Sequence, residues 1–188
     1  MKAIVAMDPS QVIGYKGEIP WHIPEDMRWF KWVTRGLPYK RAIELSQFPL
    51  ATPDAYENGA MWGLVVMGNT TYQKVGNLPN RVNFVLTNDP VKLAIDPTPQ
   101  MTYVTYQGVL NLQASPYIWN HTWVIGGGKT YQLFLPHCTD VFVTHVLEDY
   151  EGDAYMPEFE DKFPNQELLA ETKNYWMVRY WRDEPKTI

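Results

Sequence analysis

Asp26 sits in the run Ile19-Pro20-Trp21-His22-Ile23-Pro24-Glu25-Asp26-Met27-Arg28-Trp29-Phe30, and its neighbours decide what a carboxylate there can do. Pro24 suits the first turn of a helix, where proline's fixed φ and missing N–H do no harm. Phe30 then lies four residues beyond Asp26 and three beyond Met27, so an acid and two apolar side chains share a face. A carboxylate in such company is disfavoured as an anion and calls for a partner that donates hydrogen bonds to it. A plainer role fits the same residue, since acids in first turns complement the helix dipole.

Two glycine-bearing junctions point to anion chemistry. Val66-Met67-Gly68-Asn69-Thr70-Thr71-Tyr72 reads as a strand running into a helix, with free N–H groups and two hydroxyls at the helix start. Trp123-Val124-Ile125-Gly126-Gly127-Gly128-Lys129-Thr130-Tyr131 repeats that design and adds a cation, and its glycines let a phosphate approach the backbone. Glycine after a strand is also ordinary punctuation, so either junction alone fits a simple loop. Together they fit the phosphates of a dinucleotide. Two familiar motifs do not match: a P-loop needs glycine where Trp123 stands, and the G-x-G-x-x-G fingerprint needs one where Tyr131 stands. His22, His121, His137 and His145 show no ligand spacing, so no metal is implied.

The elements that must position these residues follow from pattern. A chain of 188 residues, 45% of them hydrophobic, has the size of one domain with a substantial core. Its net charge of −5 argues against a general nucleic-acid surface. The lone Cys138 excludes an internal disulfide framework and a cysteine metal cluster, and suits a reducing cytoplasm. The apolar run after Met1 is too short for a signal peptide or a membrane span and no later run is long enough, so a soluble cytoplasmic protein is expected.

Short β-branched and aromatic runs at 3–7, 64–67, 82–87, 102–106, 123–125, 141–146 and 175–181 read as strands. Helical patterns fit 24–34, 70–75, 109–114 and 130–135. Ile4-Val5-Ala6, Leu64-Val65-Val66-Met67 and Phe84-Val85-Leu86 are continuously apolar, as strands covered on both faces are. This rhythm predicts a mostly parallel central sheet with helices on both faces, and the lack of a long helical pattern between 146 and 175 predicts an antiparallel edge. Residues 35–63 break the rhythm with Gly36, Pro38, Pro49, Pro53 and Gly59. Thr52-Pro53-Asp54 reads there as a capped helix start, and 39–48 as a further helix. A connection this long reads as an excursion packed on the main core, which makes 1–188 a single domain with an insertion at about 36–62.

Four ordered blocks carry a family resemblance: Val12-Ile13-Gly14 with Ile19-Pro20-Trp21, Pro24-Glu25-Asp26 and Trp29-Phe30; Val66 to Tyr72; Leu78-Pro79-Asn80-Arg81; and Ile125-Gly126-Gly127-Gly128 with Tyr131. Val143-Thr144-His145-Val146, then Glu151-Gly152-Asp153 and Pro157, follow in order. Any one block is weak, but their order and spacing are specific, and over nearly its whole length the chain resembles dihydrofolate reductases. The resemblance implies an α/β fold with an eight-stranded, mostly parallel sheet, an antiparallel edge and about four helices on its two faces. It also implies hydride transfer from NADPH to C6 of dihydrofolate with a proton added at N5.

By resemblance Asp26 is the acid of the pterin pocket, where a carboxylate offers two acceptors to an edge carrying an N–H and an amino group. Apolar surroundings would raise its pKa toward neutrality, which suits a group that helps protonate substrate. The proton itself is expected to arrive through water, held and oriented with the help of Trp21 and Thr144. Ile4, Val5, Ala6, Met27, Phe30 and Ile125 are expected to line the pterin and nicotinamide pocket, with Tyr131 where the two rings meet. Arg81 matches the arginine that forks onto the α-carboxylate of the substrate's glutamate. Ile13, Gly14 and Ile19 belong to a flap that closes over the nicotinamide. Gly68, Asn69, Thr70, Thr71, Leu86, Thr87, Asn88, Gly126, Gly127, Gly128, Lys129 and Thr130 are the remaining cofactor positions, and a cis Gly126–Gly127 peptide is implied. Antifolates such as methotrexate are expected ligands, and a monomer is expected.

Three departures stand out. The family commonly places a basic residue after Met-Gly to grip the cofactor's 2′-phosphate, and here Asn69 stands there. Leu86-Thr87-Asn88 brings no arginine either, leaving Lys129 and Lys74 as the basic residues nearest by motif, so NADPH is expected with NADH tolerated. Residues 165–175 look too short for the loop that locks the flap in some relatives. The excursion begins beside the expected glutamate end of the substrate, where Lys40 and Arg41 could meet the extra glutamates of a polyglutamylated folate; a partner-binding surface and plain decoration fit as well. Two other functions compete. A reductase of the same fold acting on a pyrimidine-ribityl substrate leaves Asp26 beside Phe30, and Arg81, unexplained; a binding protein without turnover leaves the intact Asp26, Trp21 and Tyr131 unexplained.

Overall fold

The computed structural model describes residues 1–48 and 63–183. At its centre β1 (Lys2–Met7) pairs in parallel with β6 (Thr122–Val124) on one side and β7 (Asp140–Val146) on the other. Beyond β6 lie β3 (Gly63–Gly68), β4 (Arg81–Leu86) and β5 (Met101–Val104), all parallel. Beyond β7 lie β10 (Tyr175–Trp181) and β9 (Asn165–Glu171), and β10 runs antiparallel to both of its neighbours. The order β5-β4-β3-β6-β1-β7-β10-β9 is the expected eight-stranded sheet with its antiparallel pairings at one edge. Alternation along β1 divides two cores: Ile4 packs with Trp29, Trp32, Trp123 and Phe142, whereas Ala3, Val5 and Met7 pack with Phe134, Val141 and Phe159.

The apolar strands fall where expected, but β9 was hidden in a polar run, Asn165-Gln166-Glu167, because an outermost strand needs only one partner and leaves much of itself in water. A small second sheet, β2 (Val12–Gly14) with β8 (Ala154–Tyr155), was also unforeseen. Seven α-helices, rather than about four, occur among the described residues. Helix α1 is Pro24–Thr34 as read from the sequence, α2 is Tyr39–Ser46, α3 Asn69–Val75, α4 Pro90–Leu93, α5 Tyr106–Leu110, α6 Pro116–Asn120 and α7 Gly128–Phe134. Of the extra ones, α4 and α5 are single turns whose first N–H groups are capped by Asp89 and Thr105, and α6 is a single turn opened by Pro116. Thr105 accepts a hydrogen bond from the Gly108 N–H, so the expected strand 102–106 stops at Val104 and the helix begins earlier than 109.

The described part of the excursion packs on α1. Arg28 Nε donates to the Ser46 carbonyl at 2.8 Å, tying α2 to α1. On the sheet edge, Lys40 pairs with Glu167 at 3.3 Å and Tyr39 donates to the same carboxylate. Gly63 lies so close to the end of α1 that a Cβ there would collide with the Thr34 carbonyl, so the chain returns beside the point it left. The helix expected around Thr52 lies outside the described residues.

Candidate active site

Asp26 is carried by the first turn of α1 and meets β7, the strand beside β1. Thr144 donates its hydroxyl to Asp26 Oδ1 at 2.5 Å, and Thr144 is fully buried. Burial pushes the Asp26 carboxyl up to about 6, against the smaller opposing effect of the Thr144 hydrogen bond. Among the described residues Oδ2 receives no hydrogen bond, which leaves the carboxyl acceptor capacity on that side. Phe30 packs at the edge of the Ile4 core while Met27 is 57% exposed, which puts both of the expected apolar neighbours on the same helix but only one of them into the core. Tyr131, buried on α7, donates its hydroxyl to the Ile4 carbonyl at 2.6 Å, and burial pushes its pKa upward. Trp21 is buried edge-on to Tyr150, with ring centroids 5.3 Å apart.

At the far end of α1 lies Arg81, the first residue of β4 and only 4% exposed. Its Nη1 donates to Thr34 Oγ1 at 2.9 Å and its Nε to the Pro79 carbonyl at 3.1 Å. Thr34 is set for this by donating its own hydroxyl to the Phe30 carbonyl at 2.6 Å. Among the described residues no carboxylate pairs with Arg81, and burial, then the nearby Arg35, pull its pKa down to about 10. Its described partners, the Pro79 carbonyl, the Thr34 hydroxyl and the Phe30 ring, are all neutral, so they leave its charge uncompensated.

The two glycine junctions meet at adjacent strand ends. After β3 the chain turns toward β4, and after β6 it crosses to β7, so the crevice between these neighbours is a topological switch point. There the Gly68 N–H donates to the Gly126 carbonyl at 2.9 Å, and Ile125 N–H to the Val66 carbonyl. The Gly126–Gly127 peptide is cis, as the resemblance implied. A Cβ at Gly68 would stand 2.9 Å from Thr130 Oγ1, and one at Gly128 2.7 Å from the Tyr155 carbonyl, so the crevice wall is bare backbone by necessity. Thr70 is exposed, Thr71 partly exposed and Thr130 buried. Lys129 is exposed beside them, whereas the Lys74 chain lies against Gly17 of the flap. Next to Asn69 a cavity of about 280 Å³ is lined by Asn69, Leu86, Thr87, Asn88, Tyr106 and Leu133. A larger hollow of about 410 Å³, rimmed by Gln11, Glu158, Glu160 and Asp161, shares no residue with this arrangement.

A sequence model of the family described as dihydrofolate reductase matches residues 1–39 and 55–176. The chain belongs to the dihydrofolate reductase family. Within that family, the dihydrofolate reductase of Buchnera aphidicola subsp. Acyrthosiphon pisum is 28% identical over 173 residues, spanning 91% of this chain and 86% of the relative. The Bacillus subtilis dihydrofolate reductase is 29% identical over 161 residues, spanning 84% and 76%. The solved structure of the Enterococcus faecalis dihydrofolate reductase, complexed with NADP(H) and RAB-propyl, superposes with a TM-score of 0.65 at 26% identity, covering 97% of this chain and 96% of that one. The chain is thus an oxidoreductase, and the family match leaves out only 40–54 within the excursion and the last residues.

The segment that the resemblance made a flap, Ile13 and Gly14 with the loop through Ile23, begins in β2. Ile13 and Gly14 lie in or beside β2, and Tyr15 and Glu18 close a tight turn with Lys16 at φ 51° and Gly17 at φ 81°. The Lys16 N–H donates to Asp153 Oδ2 and the Asp153 N–H to the Gly14 carbonyl, both at 3.0 Å. Ile19 is 63% exposed. Two holding residues escaped the sequence reading. Asp153 had only its place in Glu151-Gly152-Asp153 as a signal. Asp8, 2% exposed, accepts from the Ser10, Val12 and Tyr150 N–H groups and fastens the flap's root to 150; its signal was the turn-forming Asp8-Pro9-Ser10. Among the described residues this segment and its root are tied to the connection between β7 and β8.

Proposed function

We propose that the chain reduces 7,8-dihydrofolate to 5,6,7,8-tetrahydrofolate, with hydride delivery from NADPH to C6 and a proton to N5. The observation that carries this reading is the pair of receptors at the two ends of α1. Asp26 and Thr34, which holds Arg81, are eight residues apart, roughly 12 Å along the helix axis. A ligand polar at both ends and aromatic between them, such as a pterin joined through an aminobenzoyl group to glutamate, matches that spacing.

In this reading Asp26 accepts the N–H and amino group of the pterin, while Thr144 holds its Oδ1 and fixes the carboxyl plane. A carboxyl poised at about 6 is part-protonated near neutral pH and helps raise the proton affinity needed at N5, with water the carrier and Trp21 screening the site. Ile4, Val5, Met27, Phe30 and Ile125 surround the substrate, and Tyr131 holds the Ile4 carbonyl in place. Arg81 meets the α-carboxylate. Lys40 and Arg41 are engaged by Glu167 and Glu44, so Lys31, close enough to Arg81 to act on it electrostatically, is the better candidate for further glutamates.

The bare glycine wall fits a dinucleotide's phosphates, and NADPH supplies the hydride when bound. Gly68, Thr70, Thr71, Gly126, Gly127, Gly128, Lys129 and Thr130 would hold its phosphates; Asn69, Leu86, Thr87 and Asn88 its adenosine; Ala6, Ile13, Gly14 and Ile19 its nicotinamide end. The flap would exclude water from the reacting carbons. We read the chain as a cytoplasmic monomer of one domain with an insertion at about 36–62; no helix among the described residues is long and apolar enough to cross a membrane. The test is the loss of NADPH absorbance on adding dihydrofolate, with and without methotrexate. A decrease that methotrexate abolishes is expected. No decrease from folded protein overturns the reading and directs attention to a pyrimidine-ribityl substrate.

A further inference from the structure

Lys92 belongs to no motif in the chain, yet its side chain reaches the cofactor crevice from α4. Its Nζ donates to Asn69 Oδ1 at 2.8 Å, and it lies 5.8 Å from the Tyr103 ring centroid. Among the described residues it has no carboxylate partner, so its charge is not spent on an ion pair. It is held half-buried, by one neutral acceptor and one ring face, where Asn69 borders the 280 Å³ cavity.

The chemistry of the contact fixes the orientation of Asn69. An ammonium can only donate, so the carboxamide must turn its oxygen to Lys92 and its Nδ2, with two donors, elsewhere. Thr87 and Asn88, from the end of β4, line the same cavity and add a hydroxyl and an amide. The result is several neutral donors around one rim, with the Lys92 ammonium bonded to one of the rim residues, while Asp89 caps α4 through the Val91 N–H. Such a rim suits a doubly charged phosphate monoester.

Resting on the proposed NADPH reading, we propose that Lys92 is the specificity residue for the cofactor's 2′-phosphate, positioned by Asn69. The charge that Asn69 lacks is supplied from a different helix, 23 positions later in the chain. None of the chain's lysines lines that cavity itself, but among the described residues Lys92 is the cation hydrogen-bonded to a residue that does, whereas Lys74 lays its methylenes at Gly17 and Lys129 stands at the glycine wall.

The test is calorimetric titration of the full chain with adenosine 2′,5′-bisphosphate and with adenosine 5′-monophosphate at low ionic strength. The wild-type protein should prefer the bisphosphate, and Lys92→Gln should reduce that preference about tenfold or more while leaving monophosphate affinity unchanged. Lys92→Arg should keep most of it, and melting curves check that each variant is folded. A preference that survives Lys92→Gln, or that Lys129→Gln removes instead, overturns the assignment. So does a wild-type protein that binds both nucleotides alike, which leaves the reductase reading standing. If the wild-type protein binds neither nucleotide, both fall. Should Lys92→Gln fail to fold, protection of the Lys92 amine from acetylation by the bisphosphate alone decides the matter in the wild-type chain.

Discussion

Replacing Asp26 by Asn should stabilise the fold above neutral pH, and the size of the gain follows from the carboxyl's surroundings. Burial lifts the group from the ordinary 3.8 to about 6, a difference that corresponds to about 3 kcal/mol. The sign is that of an acid whose folded pKa exceeds its unfolded one. Below 3.8 both states hold the proton and nothing is lost. Between 3.8 and about 6 the folded state binds more protons than the unfolded one, so stability falls as pH rises; above 6 the whole penalty is in force. Asn keeps the acceptor for Thr144 and carries no charge, but its amide must itself be desolvated, so roughly 1–3 kcal/mol of the penalty should be recovered. Urea unfolding of both proteins at several pH values between 4 and 8 measures it. The two curves should converge toward pH 4 and separate steadily to about pH 7, with Asp26→Asn the more stable. A constant difference across that range, or a less stable variant at pH 8, would refute the reasoning. Turnover should move the other way: Asp26→Asn should lose most activity near neutral pH and regain part of it in acid, where substrate takes its proton directly.

Arg81→Lys keeps the charge but not the fork, so the KM for dihydrofolate should rise about ten- to a hundredfold with NADPH affinity unchanged; an unchanged KM removes Arg81 from the substrate site. Asn69→Arg replaces the acceptor of Lys92 with a cation at the same rim and should improve the KM for NADPH more than that for NADH; equal effects on both would sink the idea that position 69 lies at the 2′-phosphate. Trimming 36–62 to a short linker should leave turnover with monoglutamyl dihydrofolate unchanged, and steady-state kinetics with a polyglutamylated substrate then report whether the excursion touches the tail.

Most of the fold was legible because the central strands are continuously apolar and α1 is announced by Pro24. The outer parts were not. Strand β9 leaves too many side chains in water to carry a period, and the short helices are set by single residues at their starts, the caps Asp89 and Thr105 and the proline Pro116. The site divides in the same way. Asp26, Arg81 and the glycines stand in ordered motifs, and the structure puts Asp26 against Thr144 and the two glycine junctions against each other. Lys92, Asp8 and Asp153 act through contacts between segments far apart in sequence, which no local spacing announces. Lys74 shows the converse, since motif position placed it near the cofactor while packing places it on the flap turn.

The near-contact of Gly63 with the end of α1 makes the excursion a side branch with a closed base. The fold already holds its two ends together, so the entropy of bringing them into register is largely met whatever lies between. Doubling the length of such a branch should cost only about 0.6 kcal/mol. The position is therefore a natural graft point for a reporter or a second folded domain, and the Arg28–Ser46 hydrogen bond, which ties the described start of the excursion to α1, is a contact through which a conformational change in the guest would reach that helix.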